Sequence, residues 1–391
     1  MTDTTPEVIV VGARPAGAAT AMLLARQGHD VLVVDRASLP SDTISTHAIA
    51  RGGVVQLARW GLLDAVVASG APRIRTVSFT GADGTVLRRP VKARAGVDFL
   101  LAPRRPILDT IVLSAALDAG ARFASGLTVT GLLGHRRVAG VEVRDRIGRT
   151  RRIPARLVVG ADGVRSRVAR EAGAVVVDDR GPGGAAHYAY VAGLDGEGIE
   201  FHLGPGAFAG VFPTHGGEAN VWVCTPAGAA VPVGADRTGA FLALVERASP
   251  ALAARVRAAR ITSPVRGAAG LPNHVRQAGG PGWALVGDAG YHRDPITGHG
   301  ITDAFRDADL AATHLGPALR GEVPEGAALA AYAAERDRAL GPVLDLTCRL
   351  AGFPPPAEFA DLQRALSAAL DAEAVALAAR PPLAAAARRV A

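Results

Sequence analysis

The sequence predicts an α/β protein. A Rossmann-like dinucleotide-binding layer carries an inserted antiparallel β-sheet and ends in a helical C-terminal region. Three observations predict it. Residues 7–36 read as strand, tight glycine turn, helix and strand. Two later segments, 156–170 and 283–315, again run from a buried strand through a glycine-bearing turn into a helix. Between them, residues 72–100 and 175–277 hold short β-type runs split by Gly, Pro and Asn.

The first unit begins with a continuous apolar run at 7–11, as a strand buried on both faces requires. Residues 15–27 place Ala, Met and Leu at helical spacing, and Gly28 stops the helix. "DVLVVDR" (30–36) is a second buried strand. The turn between them reads "GARPAG", with Arg14 where a G-x-G-x-x-G fingerprint has its middle glycine. Gly12 permits the sharp exit from the strand, and Gly17 permits close packing of the helix. Backbone donors at the helix start, over Ala13 to Ala16, then face a pyrophosphate. Pro15 costs little there, because its missing donor is an unpaired one. Asp35 ends the second strand, where an acid accepts hydrogen bonds from ribose hydroxyls.

Further along, 106–123 reads as a helix ending at Gly120. In "VVGADGVRSRVAR" (158–170), Asp162 ends a strand beside Arg165 and Arg167; the plain alternative is a common Asp-Gly turn. In "GDAGYHRDPITGHGITDAFRDA" (287–308), Asp288 ends a strand, and Pro295, Gly298 and Gly300 shape a loop before a helix from about 301. Such a helix start stabilises negative charge. The tail from 325 to 391 is alanine-rich and helical in character, broken at "FPPP" (353–356).

Composition excludes several classes. The 391 residues are 49% hydrophobic with 47 glycines, which describes a chain with a large core. No apolar run reaches the roughly 20 residues of a membrane span. Cys224 and Cys348 match no metal spacing, and a reduced, cytoplasmic setting is expected. The net charge of +7 comes almost wholly from arginine, since Lys92 is the only lysine. Those arginines are spread and aromatics make up only 4%, which argues against a nucleic-acid binder. A G-x-x-x-x-G-K-[ST] phosphate loop is absent because no Gly-Lys pair exists.

Taken in order, the three glycine-and-aspartate motifs resemble those of the single-component FAD-dependent monooxygenases of the para-hydroxybenzoate hydroxylase type, over residues 7 to about 315. The resemblance implies a glutathione reductase-type FAD-binding domain made of residues 1–71, 101–174 and 278–324. It implies a substrate-binding β-sheet domain from 72–100 and 175–277, with 325–391 as the C-terminal helical region. Gly12, Ala13, Arg14, Pro15, Ala16 and Gly17 would meet the FAD pyrophosphate, Asp35 the adenosine ribose and Arg36 the adenine. Arg105 resembles the arginine of the family's R-x-x-L-D element, here "RPILD", which reaches the flavin phosphates or ribityl chain. Val129 sits where a backbone contact to adenine is usual. Asp162 resembles an aspartate tied to both FAD and NAD(P)H, and Asp288 one that binds the ribityl or phosphate region. Pro295, Gly298, Gly300 and Ile301 would line the isoalloxazine. Gly290, Tyr291 and Thr302 depart from the family's late motif, and Thr302 keeps a hydroxyl at the helix start.

"STH" (45–47) would lie near the ring, with Ser45 as a cofactor contact and His47 as the candidate for direct chemistry. In the insert, His187, Tyr188, Tyr190, Phe212, Pro213, His215 and Trp222 are the candidates to face a substrate. The implied reaction is NAD(P)H-driven transfer of one oxygen from O₂ to an electron-rich small molecule by a monomer or homodimer, with NADH or NADPH bound only transiently. Three other readings bear on the same motifs. A flavin halogenase needs a lysine near the ring and a W-x-W-x-I-P element, and Trp222 has Cys224 where a second tryptophan belongs. A reductase resembling the geranylgeranyl reductases shares all three motif types. A non-catalytic flavin- or nucleotide-binding protein would hold FAD without substrate-stimulated NAD(P)H oxidation.

Overall fold

The computed structural model describes residues 5–45, 47–229 and 236–383. Its centre is a six-stranded sheet ordered Gly279–Gly280, Trp283–Leu285, Leu157–Gly160, Val8–Val11, Val31–Asp35, Arg122–Ser125. Every pairing is parallel except the outermost one, between Gly279–Gly280 and Trp283–Leu285. Strand alternation sorts the apolar residues between two layers. Val8, Val10, Val31 and Val33 pack under the helices Pro15–Arg26, Arg105–Asp118 and Gly300–Leu319. Ile9, Val11, Leu32 and Val34 pack against a three-stranded antiparallel meander, Thr128–Leu132, Gly140–Arg144 and Thr150–Pro154. Each central strand is therefore buried on both faces, which its unbroken apolar run requires.

The helix expected to stop at Gly120 runs Arg105–Asp118 and does stop there, with Gly120 at φ +101°, while Arg122–Ser125 just beyond it joins the parallel sheet beside Val31–Asp35. The meander is not evident in the sequence, because Gly131 interrupts its first strand and its third, Thr150–Pro154, is almost wholly exposed.

The insert forms a separate eight-stranded sheet. Thr76–Thr80 and Val86–Pro90 meet the strands of 185–269 through one parallel pairing, between Thr76–Thr80 and Ile199–Gly204; its other pairings are antiparallel. One face packs against the helices Arg237–Ala248 and Pro250–Ala258. The opposite face carries Tyr188, Tyr190, Phe208, Phe212 and Trp222 and meets Ile296 and the C-terminal helices. Val176–Pro182 and Pro272–Arg276 do not join this sheet. They pair with each other and with Tyr291–His292, tying the insert to the late glycine loop.

The tail forms helices Glu325–Ala351 and Pro356–Ala379, separated at the prolines as expected. Residues 384–391 lie outside the described residues. No described helix is long and apolar enough to cross a membrane.

Candidate active site

At the first turn, Gly12 has φ +108°, and a side chain there would strike the Ala161 carbonyl oxygen at 2.4 Å. A Cβ on Gly17 would lie 1.8 Å from the Gly12 carbonyl oxygen. Both glycines are thus fixed by backbone approach. No side chain caps the helix that starts at Pro15, so its first-turn donors have no side-chain acceptor.

The late loop comes to the same place. Gly287 (φ +57°) is wedged between two helix starts; a Cβ on it would lie 2.9 Å from that of Ala16 and 3.7 Å from that of Ala304. Its N–H donates to Asp307 at 3.1 Å. Asp288, next in sequence, is exposed and makes no hydrogen bond to a described residue, while the protein walls around it raise its pKa by desolvation. A solvent-facing carboxylate with no described hydrogen-bond partner is ready to accept from hydroxyls. Pro295–Thr297 is a single 3₁₀ turn closed by Gly298 in the left-handed region, and Asp294 caps it through the Ile296 N–H at 2.9 Å. The helix from Gly300 has no side-chain cap, and a Cβ on Gly300 would meet nothing within 4 Å. The buried His299 Nδ1 just before it has no partner, and burial lowers that imidazole's pKa to about 4. Two uncapped helix starts, a free carboxylate and an open backbone approach fit a dinucleotide carrying phosphates and a polyol chain.

The departures from the family's late motif point inward. Thr302 is inside the helix rather than at its cap, and its unpartnered hydroxyl would sit 2.9 Å from a Cβ on Gly53. Tyr291 is buried and accepts from Arg306 at 2.5 Å. Arg306 also pairs with Asp303, Asp307 and Glu373, and Arg293 with Asp303 at 2.6 Å. These buried charges compensate one another and anchor the C-terminal helix behind the loop.

At the end of Val31–Asp35, the Asp35 carboxylate accepts from Ala13 N and Ala37 N, each at 2.8 Å. The Asp35 carbonyl accepts from Leu127 N, which brings Val129 into the neighbourhood, with the Val129 side chain buried. Arg36 is exposed. The Asp162 carboxylate is taken up by its own turn: it accepts from Ser166 Oγ at 2.5 Å, Arg167 N at 2.6 Å and Val168 N at 3.1 Å. Arg105 is locked to Asp109 through two bonds of 2.8 and 3.1 Å. Arg14 turns to the same buried Asp109 at 2.9 Å and to the Ser41 carbonyl and hydroxyl at 3.0 Å each. It thereby ties the glycine turn to the loop that carries His47. Arg266, from the insert, holds Asp42 of that loop at 2.8 Å.

That loop ends against the inserted sheet. Ser45 Oγ accepts from His47 N at 3.1 Å, and Ser45 N donates to Tyr188 Oη at 3.4 Å. His47 is 1% exposed with φ +67°, a conformation few side chains other than glycine adopt. Its imidazole lies edge to edge with the Tyr190 ring, with centroids 5.5 Å apart and planes 9° from parallel. Nε2 is hydrogen-bonded to Tyr190 Oη, and Nδ1 is buried without a partner. Burial, and then the positive charges of Arg105, Arg104 and Arg266, hold the His47 pKa well below the ordinary value. The Arg104 guanidinium lies 3.5 Å from the Tyr190 ring centroid and pairs with Glu218 at 2.7 Å. His215 accepts from Arg104 N at 3.2 Å and meets Ser69 Oγ at 3.0 Å.

The structure therefore brings His47, Ser45, Tyr188 and Tyr190 together, with His215 one residue removed. Phe212 and Trp222 share their face but pack into an aromatic core with Phe201 and Phe208. Trp222 covers Gly210, where a Cβ would come within 2.4 Å of the indole. Pro213 ends its strand, half-buried. His187 points to the other face, toward Gly267 and the helix Arg237–Ala248, because strand alternation separates it from Tyr188 and Tyr190. Sequence reasoning missed Arg104, Asp109, Asp42 and Arg266. The paired arginines before "PILD" were the one visible signal.

A family profile described as an FAD binding domain matches residues 5–347. The chain belongs to that family of para-hydroxybenzoate hydroxylase-like flavoproteins. It is an FAD-dependent oxidoreductase, with an FAD-binding domain, an inserted sheet and a helical C-terminal region. It is 29% identical over 352 residues to a digeranylgeranylglycerophospholipid reductase of Methanocella arvoryzae, covering 87% of this chain and 84% of the relative. It is 31% identical over 329 residues to the menaquinone reductase of Mycolicibacterium smegmatis, covering 79% and 76%. The flavin-dependent brominase Bmp2 superposes with a TM-score of 0.80 at 18% identity, covering 96% and 93%. That last likeness is one of fold.

Proposed function

We propose that this flavoprotein reduces a carbon–carbon double bond of an apolar organic substrate held between the His47 loop and the Tyr188–Tyr190 face, with NADH or NADPH as transient reductant. The observation that carries the reading is the His47–Tyr190–Arg104 arrangement. Adding hydrogen across a double bond consumes one hydride and one proton. Bound FAD would supply the hydride, resting on the glycine turn, Asp35, Asp288 and the Pro295–Ile301 loop. This chain's residues supply the proton. With Nε2 accepting from Tyr190, Nδ1 of His47 carries a hydrogen that no protein atom receives. His47 gives that hydrogen to the substrate carbon and takes the phenolic proton of Tyr190 at Nε2, so the imidazole stays neutral throughout. The guanidinium on the Tyr190 ring face stabilises the negative charge left behind. Burial and the neighbouring cations disfavour a charged imidazole, which fits a His47 that passes a proton through and stays neutral. The reductase names of the relatives support the same reading.

Monooxygenation is the second reading, favoured by membership in the para-hydroxybenzoate hydroxylase-like family. The FAD-loaded enzyme, incubated without oxygen with NAD(P)H and a panel of polyprenyl lipids, menaquinone, phenols and indole, separates the two. Products saturated at a double bond under anaerobic conditions support reduction. Turnover that needs oxygen and leaves an oxygen atom in the product overturns it.

A further inference from the structure

The meander's second hairpin is dense in exposed positive charge. Residues 144–152 read "RDRIGRTRR", five arginines in nine residues with one acid, Asp145. All five arginines are exposed. At the tip stands Ile147, 72% exposed, the most exposed large apolar side chain among the described residues. The turn is well built: Asp145 accepts from Ile147 N at 3.1 Å and Arg149 N at 2.9 Å, and Gly148 takes φ +87°. Ile147 is thus held out by an ordered turn. Charge compensation is thin. Arg151 lies 3.6 Å from Asp145 and Arg152 3.7 Å from Glu142, while Arg144 and Arg149 have no ion pair among the described residues. Arg146 donates to Ser38, three residues past Asp35, which sets the tip beside the strand ends that carry the cofactor-site residues.

We propose that this hairpin docks the enzyme on an anionic lipid bilayer, with Ile147 entering the headgroup–acyl boundary and Arg144, Arg146 and Arg149 meeting lipid phosphates. An apolar tip ringed by arginines is the composition such an interface selects. A nucleic acid would use the same cations but gains nothing from an isoleucine, and the hairpin has no aromatic on which a base could stack. The inference does not depend on which reaction the enzyme performs.

The test is co-sedimentation of the full FAD-loaded chain with phosphatidylcholine vesicles, with and without phosphatidylglycerol. Binding to the phosphatidylglycerol vesicles alone, weakened by salt, is the expected result. The Arg144→Gln/Arg146→Gln/Arg149→Gln variant should bind about 100-fold more weakly, as three lost surface cations imply. Ile147→Ser should lose roughly tenfold while keeping the salt dependence. Melting temperature and flavin absorbance equal to the parent's establish that both variants are folded. Vesicle binding unchanged in both variants overturns the proposal. So does full release by millimolar inorganic phosphate, which marks a phosphate subsite, or retention by RNA or DNA but not by vesicles.

Discussion

Tyr190→Phe tests the proton relay most sharply. The phenyl ring preserves the contact with Arg104 and the space beside His47, so the substitution removes one hydroxyl and little else. His47 then keeps a buried imidazole with neither nitrogen bonded, since Nδ1 already lacks a partner. An unsatisfied buried polar atom costs about 1–3 kcal/mol of folding free energy, which urea unfolding resolves. The larger effect falls on turnover. Loss of a positioned proton source lowers the reduction rate by about 100- to 10,000-fold. FAD affinity, read by flavin fluorescence, should not change. His47→Asn keeps a residue tolerant of positive φ and removes the imidazole, and should lose a similar amount. The double variant should then be no slower than either single one, because both break the same relay. Since His47 is held neutral, the parent's rate should show no inflection near pH about 6.5. A Tyr190→Phe enzyme that reduces substrate at the parent rate, or losses that add in the double variant, would refute the relay.

Four other substitutions probe the rest. Gly300→Ala places its methyl in open space, so the apoprotein should melt unchanged while FAD binds more weakly; equal affinity would remove Gly300 from the cofactor site. Burial on the protein side raises the Asp288 pKa, but the carboxylate faces solvent, so its charge opposes folding only weakly. Asp288→Asn should therefore weaken FAD binding and leave the apoprotein's melting nearly unchanged, as parallel flavin titrations and thermal melts would report. For Glu200, burial raises the pKa, but His202 and Arg255 outweigh it and hold it at about 2. Its contribution is full above the unfolded value of 4.5 and disappears as pH falls toward 2, so Glu200→Gln should flatten that part of an acid-unfolding curve. Arg14→Ala leaves the buried Asp109 with Arg105 alone and should cost about 1.5–3 kcal/mol in urea unfolding. The Ser41–Asp42 loop should then open to proteolysis. A loop as resistant as the parent's would show that Arg14 does not hold it.

The cofactor half of the protein was legible because its chemistry is local. Gly12, Gly17 and Asp35 fall within one βαβ unit, and Gly287 to Gly300 within one strand–loop–helix, so spacing alone carries the geometry. The substrate half was not. His47 and Tyr190 are 143 residues apart and meet only because the insert folds back onto the loop. Their partner Arg104 gave no signal beyond standing beside another arginine. His187 was readable in principle, since in "HYAY" the histidine must face away from both tyrosines. The inward turn of Thr302 and Tyr291 depends on Gly53 and Arg306, which no local pattern connects to them. Arg14 is the intermediate case: its place in the glycine turn pointed to phosphate, while its geometry adds Asp109 and the His47 loop.

The most direct test of the central claim is the origin of the two hydrogens added to the substrate. Anaerobic turnover in deuterium oxide, followed by mass and NMR analysis of the product, should find at least one solvent-derived deuterium bonded to carbon for each double bond reduced. In the Tyr190→Phe enzyme that incorporation should slow in step with product formation. A product that forms only in air and carries oxygen-18 from labelled O₂, its double bonds intact, would contradict the account.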